Sequence, residues 1–215
     1  YITLPPNYKD GEKIPFIIHP HGGPNARDYW GYNPEVQFYA TRGYGVIQMD
    51  YRGSTGYGRK EMILANHQMG KKMQEDKYDA LMWANDQGYV DMDNVCISGA
   101  SYGGYAAMQA ATKNPELFKC IIAYVGVYDL TSMDLRGLQW SELGMPMEYI
   151  EKGDPKDPDD YKNLYENSPL FFAENIEDPI LIITGRRDTQ VRFQETVDMV
   201  NELKKYNKDY KYIIK

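Results

Sequence analysis

One stretch of this chain constrains its folding more than any other. Val95–Ser98 is a short apolar run of strand-forming residues, Gly99-Ala100-Ser101-Tyr102-Gly103-Gly104 follows at once, and an alanine-rich segment with helical periodicity comes next. A strand, a tight turn and a helix in immediate succession leave room only for small residues around the turn, and Gly99 and Gly103 meet that demand two positions either side of Ser101. Such a turn holds its central serine in a strained backbone with the hydroxyl projecting. The competing reading is a glycine-rich turn whose serine caps the helix and binds an anion or nothing.

The rest of the chain repeats this rhythm. Strands are predicted at Ile14 to Pro20, Gly45 to Tyr51, Val95 to Ser98, Cys120 to Val125, Pro179 to Thr184 and Tyr210 to Ile214. Helical periodicity fits Pro34 to Arg42, Lys72 to Gln87, Tyr102 to Asn114 and Arg192 to Lys205. Alternation of this kind predicts a mostly parallel sheet with helices on both faces. With the serine elbow it predicts an α/β class chain with the α/β-hydrolase fold, one domain over residues 1–215. Residues 130–175, rich in Pro, Asp, Tyr and Gly, break the rhythm and read as a lid-like excursion over one edge of the sheet. Within it, Gly153–Asp160 reads as a solvated turn. Only Tyr1–Pro6 precede the strand that stands third in that fold, so the sheet reads as truncated at both ends.

Acyl chemistry needs more than a nucleophile. Negative charge develops on the carbonyl oxygen, and two preorganised backbone amides are the usual answer. The residue after the nucleophile, Tyr102, supplies one; the loop His19-Pro20-His21-Gly22-Gly23-Pro24 offers Gly22 or Gly23 for the other, or is a simple turn. Asp188 follows the Pro179–Thr184 strand and fits the acid that orients a histidine, in the order serine, aspartate, histidine. A helix-capping role is its bland alternative, and Asp129 competes for the position. The base is missing: His19, His21 and His67 all precede Ser101, and the expected place lies beyond Lys215. The unaided chain is therefore expected to be nearly inert.

Composition removes several other functions. A net charge of −7 with scattered Lys and Arg argues against nucleic acid as a partner. No run of about 18 apolar residues suits a membrane span. Neither Gly-x-Gly-x-x-Gly nor a P-loop occurs, nor His-Glu-x-x-His or paired Cys-x-x-Cys, so no nucleotide, metal or organic cofactor is expected. Cys96 and Cys120 lie in apolar segments and read as buried thiols rather than a disulfide, leaving the compartment of a soluble protein, cytoplasmic or periplasmic, open.

In order along the chain stand His21-Gly22-Gly23-Pro24, Arg52-Gly53-Ser54-Thr55-Gly56-Tyr57-Gly58, Gly99-Ala100-Ser101-Tyr102-Gly103-Gly104-Tyr105, Ser168-Pro169-Leu170 and Gly185-x-x-Asp188-x-x-Val191. As a set these resemble the catalytic domain of the prolyl oligopeptidase family of serine peptidases, in its acylaminoacyl-peptidase-like branch. The resemblance implies a triad with Ser101 and Asp188 in place and the histidine in a loop a few residues past Lys215. It also implies an amino-terminal β-propeller, short peptides as substrates, and a specificity pocket lined by Val127, Tyr128 and Trp140. Arg186-Arg187 departs from the less charged segment common in relatives. An esterase acting on small esters, or a catalytically silent binding module on the same fold, are the rival readings.

Overall fold

A computed structural model describes residues 1–133 and 152–215. Its frame is a seven-stranded sheet in the order β1-β3-β2-β4-β5-β6-β7. The strands are β1 (Ile2–Thr3), β2 (Ile14–Ile18), β3 (Gly45–Ile47), β4 (Val90–Ala100), β5 (Cys120–Tyr124), β6 (Ile180–Thr184) and β7 (Tyr210–Ile214). Among the described residues only β1 runs antiparallel, against β3; every other pairing is parallel. The helices among the described residues are α1 (Pro34–Ala40), α2 (Arg59–Ile63), α3 (Lys72–Asp86), α4 (Tyr102–Lys113), α5 (Pro158–Glu166) and α6 (Phe193–Lys205).

All six predicted strands and four predicted helices are present. Burial on both faces explains why the central strands read as unbroken apolar runs: Phe16, Ile18, Val95, Ile97, Ala123 and Ile182 have no exposed surface. Helix starts are written locally. Asn33 precedes Pro34 and accepts from the amides of Glu35 and Val36; Asp157 precedes Pro158 and accepts from those of Asp159 and Asp160. Asp157 therefore gives the acidic Gly153–Asp160 turn a structural task, and Asp160 adds another by accepting from the amide of Asp154.

The differences have physical causes. β4 starts five residues earlier than Val95, but Ile14 pairs with Val90 and Phe16 with Val95, so Asp91–Asn94 bulge out of register. Their polar side chains bond one another there, Asn94 Nδ2 donating to Asp91 Oδ2 at 2.7 Å. β1 has only two residues and α2 buries none, so neither carries a periodic signal. Cys96 and Cys120 correct the thiol reading. They are register partners on adjacent strands, 4.8 Å apart at Cα, and form a disulfide. Cysteines that pair across neighbouring strands within bonding distance are invisible to composition.

The described part of the 130–175 excursion is tied to itself and to the chain just past β5. Ser168 Oγ accepts from the amide of Leu130 and donates to the carbonyl of Leu164, and the amide of Leu170 donates to the carbonyl of Tyr128. Among the described residues no helix is long and apolar enough to cross a membrane.

Candidate active site

Where β4 meets α4, Ser101 takes φ 57° and ψ −118°. An L-residue is strained in that region, and the surroundings hold it there. Its amide donates to the carbonyl of Tyr124 at 2.9 Å, and its own carbonyl accepts from the amide of Tyr105 at 3.0 Å. The side chain makes no capping bond to the helix, which removes the capping-serine reading. Tight packing around the bend explains the glycines. A Cβ on Gly103 would stand 2.2 Å from the carbonyl oxygen of Pro20, because the loop after β2 passes directly over the first turn of α4.

That loop brings the second predicted feature alongside the first. A Cβ on Gly22 would stand 3.0 Å from the carbonyl oxygen of Ala100 and 3.4 Å from Cβ of Ser101, so the glycine backbone is in contact with the elbow. The amide of Tyr102 heads α4 at the same junction. Tyr51 braces both sides: its hydroxyl donates to the carbonyl of His21 at 3.0 Å, while its ring lies 5.2 Å from that of Tyr102 and is stacked at 4.3 Å on the imidazole of His21.

Asp188 lies past the carboxyl end of β6, two strands from β4, and so on the same rim as Ser101. Strand spacing puts β4 and β6 about 10 Å apart. One carboxylate oxygen of Asp188 accepts from the amides of Gln190 and Val191, at 2.7 and 2.8 Å, which fixes the side chain at the entry to α6. The competitor Asp129 is held in the same way, with Oδ1 accepting from the amides of Thr131 and Ser132, and it also accepts from the hydroxyl of Thr131. Each histidine is engaged elsewhere: His19 Nδ1 with the carbonyl of Ser98, His21 Nε2 with the hydroxyl of Ser54, and His67 Nδ1 with Asp160.

The expected pocket residues separate. Val127 packs behind the site with Tyr51, Tyr102, Tyr105 and Val191. Tyr128 corrects the expectation: it has no exposed surface and its amide is held by Glu195 Oε2 at 2.9 Å, so its ring belongs to the core and cannot wall an open pocket. Trp140 lies outside the described residues.

Sequence reasoning also missed a buried polar pair that touches the elbow. Gln74 and Lys77 on α3 are 2% and 1% exposed, and Gln74 reaches the hydroxyl of Tyr102. Their only sequence signal is polarity at core-facing positions of α3.

A mostly parallel sheet with helices, a strained serine between β4 and α4, and a glycine loop folded against it define an α/β-hydrolase. Its family follows from comparison with known proteins. The prolyl oligopeptidase family matches residues 30–215, and the chain belongs to that family. It is 36% identical to dipeptidyl aminopeptidase BIII of Pseudoxanthomonas mexicana over the whole chain, covering 32% of that protein. Against dipeptidyl peptidase family member 6 of Caenorhabditis elegans identity is 35% over 92% of the chain and 27% of that protein. Among solved structures, an acylaminoacyl peptidase superposes with TM-score 0.84 at 26% identity, over 99% of this chain and 34% of its own. A puromycin-hydrolysing peptidase of Mycobacterium tuberculosis gives 0.83 at 28%, over 100% of this chain and 32% of its own. The chain thus spans about a third of the length of these relatives.

Proposed function

We propose that the protein is a serine peptidase that cleaves amide bonds of short peptides through an acyl-enzyme on Ser101. The observation that carries this reading is the strained, uncapped Ser101 with the Gly22 backbone packed against its Cβ. In the first half-reaction the Ser101 hydroxyl attacks the peptide carbonyl carbon and its proton passes to a histidine. Amides of Tyr102 and of Gly22 or Gly23 receive the oxyanion. The carbon–nitrogen bond then breaks, and the histidine returns the proton to the departing amine. Water repeats the sequence on the acyl ester and releases the acid.

Asp188 is the residue we assign to orient that histidine. Two backbone amides hold its carboxylate in place. We place the histidine beyond Lys215, because β7 runs beside the start of the Asp188 loop: the amide of Arg186 donates to the carbonyl of Lys215 at 2.9 Å. Chain continuing from there emerges on the rim that holds Ser101. The threefold greater length of the relatives supports a further domain in the whole protein, which by family likeness we take to be a β-propeller. The Cys96–Cys120 bridge supports an oxidising compartment, where such bonds persist.

The test uses the full-length protein. A fluorophosphonate probe is expected to label Ser101, and Ser101→Ala to abolish labelling. Parallel assays on aminoacyl and dipeptidyl amides and on short-chain aryl esters then decide the substrate class. Absence of labelling rejects the enzyme reading, and turnover of esters alone rejects the peptidase.

A further inference from the structure

Along the inward face of α3, Met73, Gln74, Lys77, Leu81 and Ala84 are buried. An amphipathic helix ordinarily fills such positions with apolar side chains, yet two of these five are polar. A buried polar group costs stability unless it is bonded, so this pair is informative only if its bonds reach something useful. They do. Lys77 Nζ donates to Gln74 Oε1 at 2.7 Å, which turns the other end of the amide toward α4, and Gln74 Nε2 donates to the hydroxyl of Tyr102 at 3.0 Å.

Tyr102 is the first residue of α4 and follows the nucleophile directly. Its ring is 5% exposed and sits between Tyr51 at 5.2 Å and Tyr105 at 5.5 Å. Both ring contacts are tilted, at 39° and 52° between planes, so neither neighbour stacks flat on the phenol ring. The hydrogen bond from Gln74 adds a directional contact at the phenol end. Because the amide is attached to the same residue, displacement of the ring is passed to the N–H beside Ser101.

We propose that Gln74 is a positioning residue for the oxyanion site: held by Lys77, its amide anchors the Tyr102 phenol and thereby fixes the backbone N–H of Tyr102 against the developing negative charge. This inference rests on the proposed role of Tyr102 as an oxyanion donor. It concerns a helix separated from Ser101 in the chain by the single strand β4, and a residue that never touches substrate.

Full-length Gln74→Met keeps the length of the side chain and removes the donor; Tyr102→Phe keeps ring and amide and removes the phenol. With a peptidyl p-nitroanilide, each is expected to lower kcat about tenfold with KM within twofold, less than the 10²–10³ that loss of a whole donor brings. Affinity for a peptide aldehyde, whose adduct with Ser101 places an oxygen in the same site, is expected to fall by the same factor as kcat/KM. The double variant is expected to be no worse than either single one, because both remove the same bond. A structural role alone would lower the melting temperature without this split. The inference is overturned if either folded variant keeps kcat/KM within twofold of the parent, or if the two losses multiply in the double variant. Should Gln74→Met fail to fold, Tyr102→Phe and its aldehyde affinity decide the matter alone. Failure of the parent to label with fluorophosphonate would instead reject the oxyanion reading beneath it.

Discussion

At the scale of single residues, Ser101 illustrates a conflict between stability and chemistry. Its φ of 57° and ψ of −118° cost about 1–3 kcal/mol for an L-residue, while glycine at such a position costs only about 0.5–1 kcal/mol in chain entropy. Ser101→Gly is therefore expected to raise stability by about 1 kcal/mol as it abolishes labelling. Ser101→Ala keeps the strain and is expected to leave the melting temperature within about 1 °C; calorimetry on the two variants checks both. Lys77 makes the opposite demand. Burial pushes its ammonium well below the ordinary lysine range, with Asp76 opposing the shift. Between that lowered value and the unfolded one near 10.5, the unfolded chain binds the extra proton, so this group makes stability rise with pH. Lys77→Met leaves Gln74 Oε1 without this donor, and its stability relative to the parent is expected to be more favourable at pH 6 than at pH 9, as denaturant midpoints at the two values would show. A margin independent of pH would mean that Lys77 is charged in the folded protein.

Elements carry the next set of constraints. The β4–α4 junction works because the loop after β2 crosses it with almost no clearance, and Gly103→Ala places a methyl group 2.2 Å from a backbone oxygen that cannot swing away. A loss of about 3 kcal/mol is expected, with slower labelling of Ser101, in urea unfolding and probe kinetics respectively. The Cys96–Cys120 bridge ties β4 to β5, the two strands whose ends hold the Ser101 backbone, across a separation of 24 residues. Replacing both cysteines by alanine is expected to cost about 3 kcal/mol, read as a lowered denaturant midpoint in the absence of reductant. The helix at Pro34 was legible in its periodicity, and its Asn33 cap bonds amides two and three residues on; the helix at Pro158, capped in the same way by Asp157, begins where the sequence reads as a solvated turn. β1 and the Val90–Asn94 start of β4 were not legible, because their pairing is made with distant chain and leaves no local pattern.

For the whole molecule, the proposal predicts a difference between this chain and the complete protein. With the base proposed to lie beyond Lys215, residues 1–215 alone are expected to react with fluorophosphonate at least about 10³-fold more slowly than the full-length protein, in a time course of labelling at equal concentration. Comparable rates would place the base among the residues already in hand. By itself, the sequence determined the alternation of strands and helices, the serine elbow and the Asp188 loop, because each is written in residues that neighbour one another along the chain. Only the tertiary structure decided that Cys96 faces Cys120, that Tyr128 is core, and that Gln74 reaches Tyr102 from another helix. Those facts depend on strand register and on which faces of distant elements meet, and local periodicity records that a side chain is buried without recording what it is buried against.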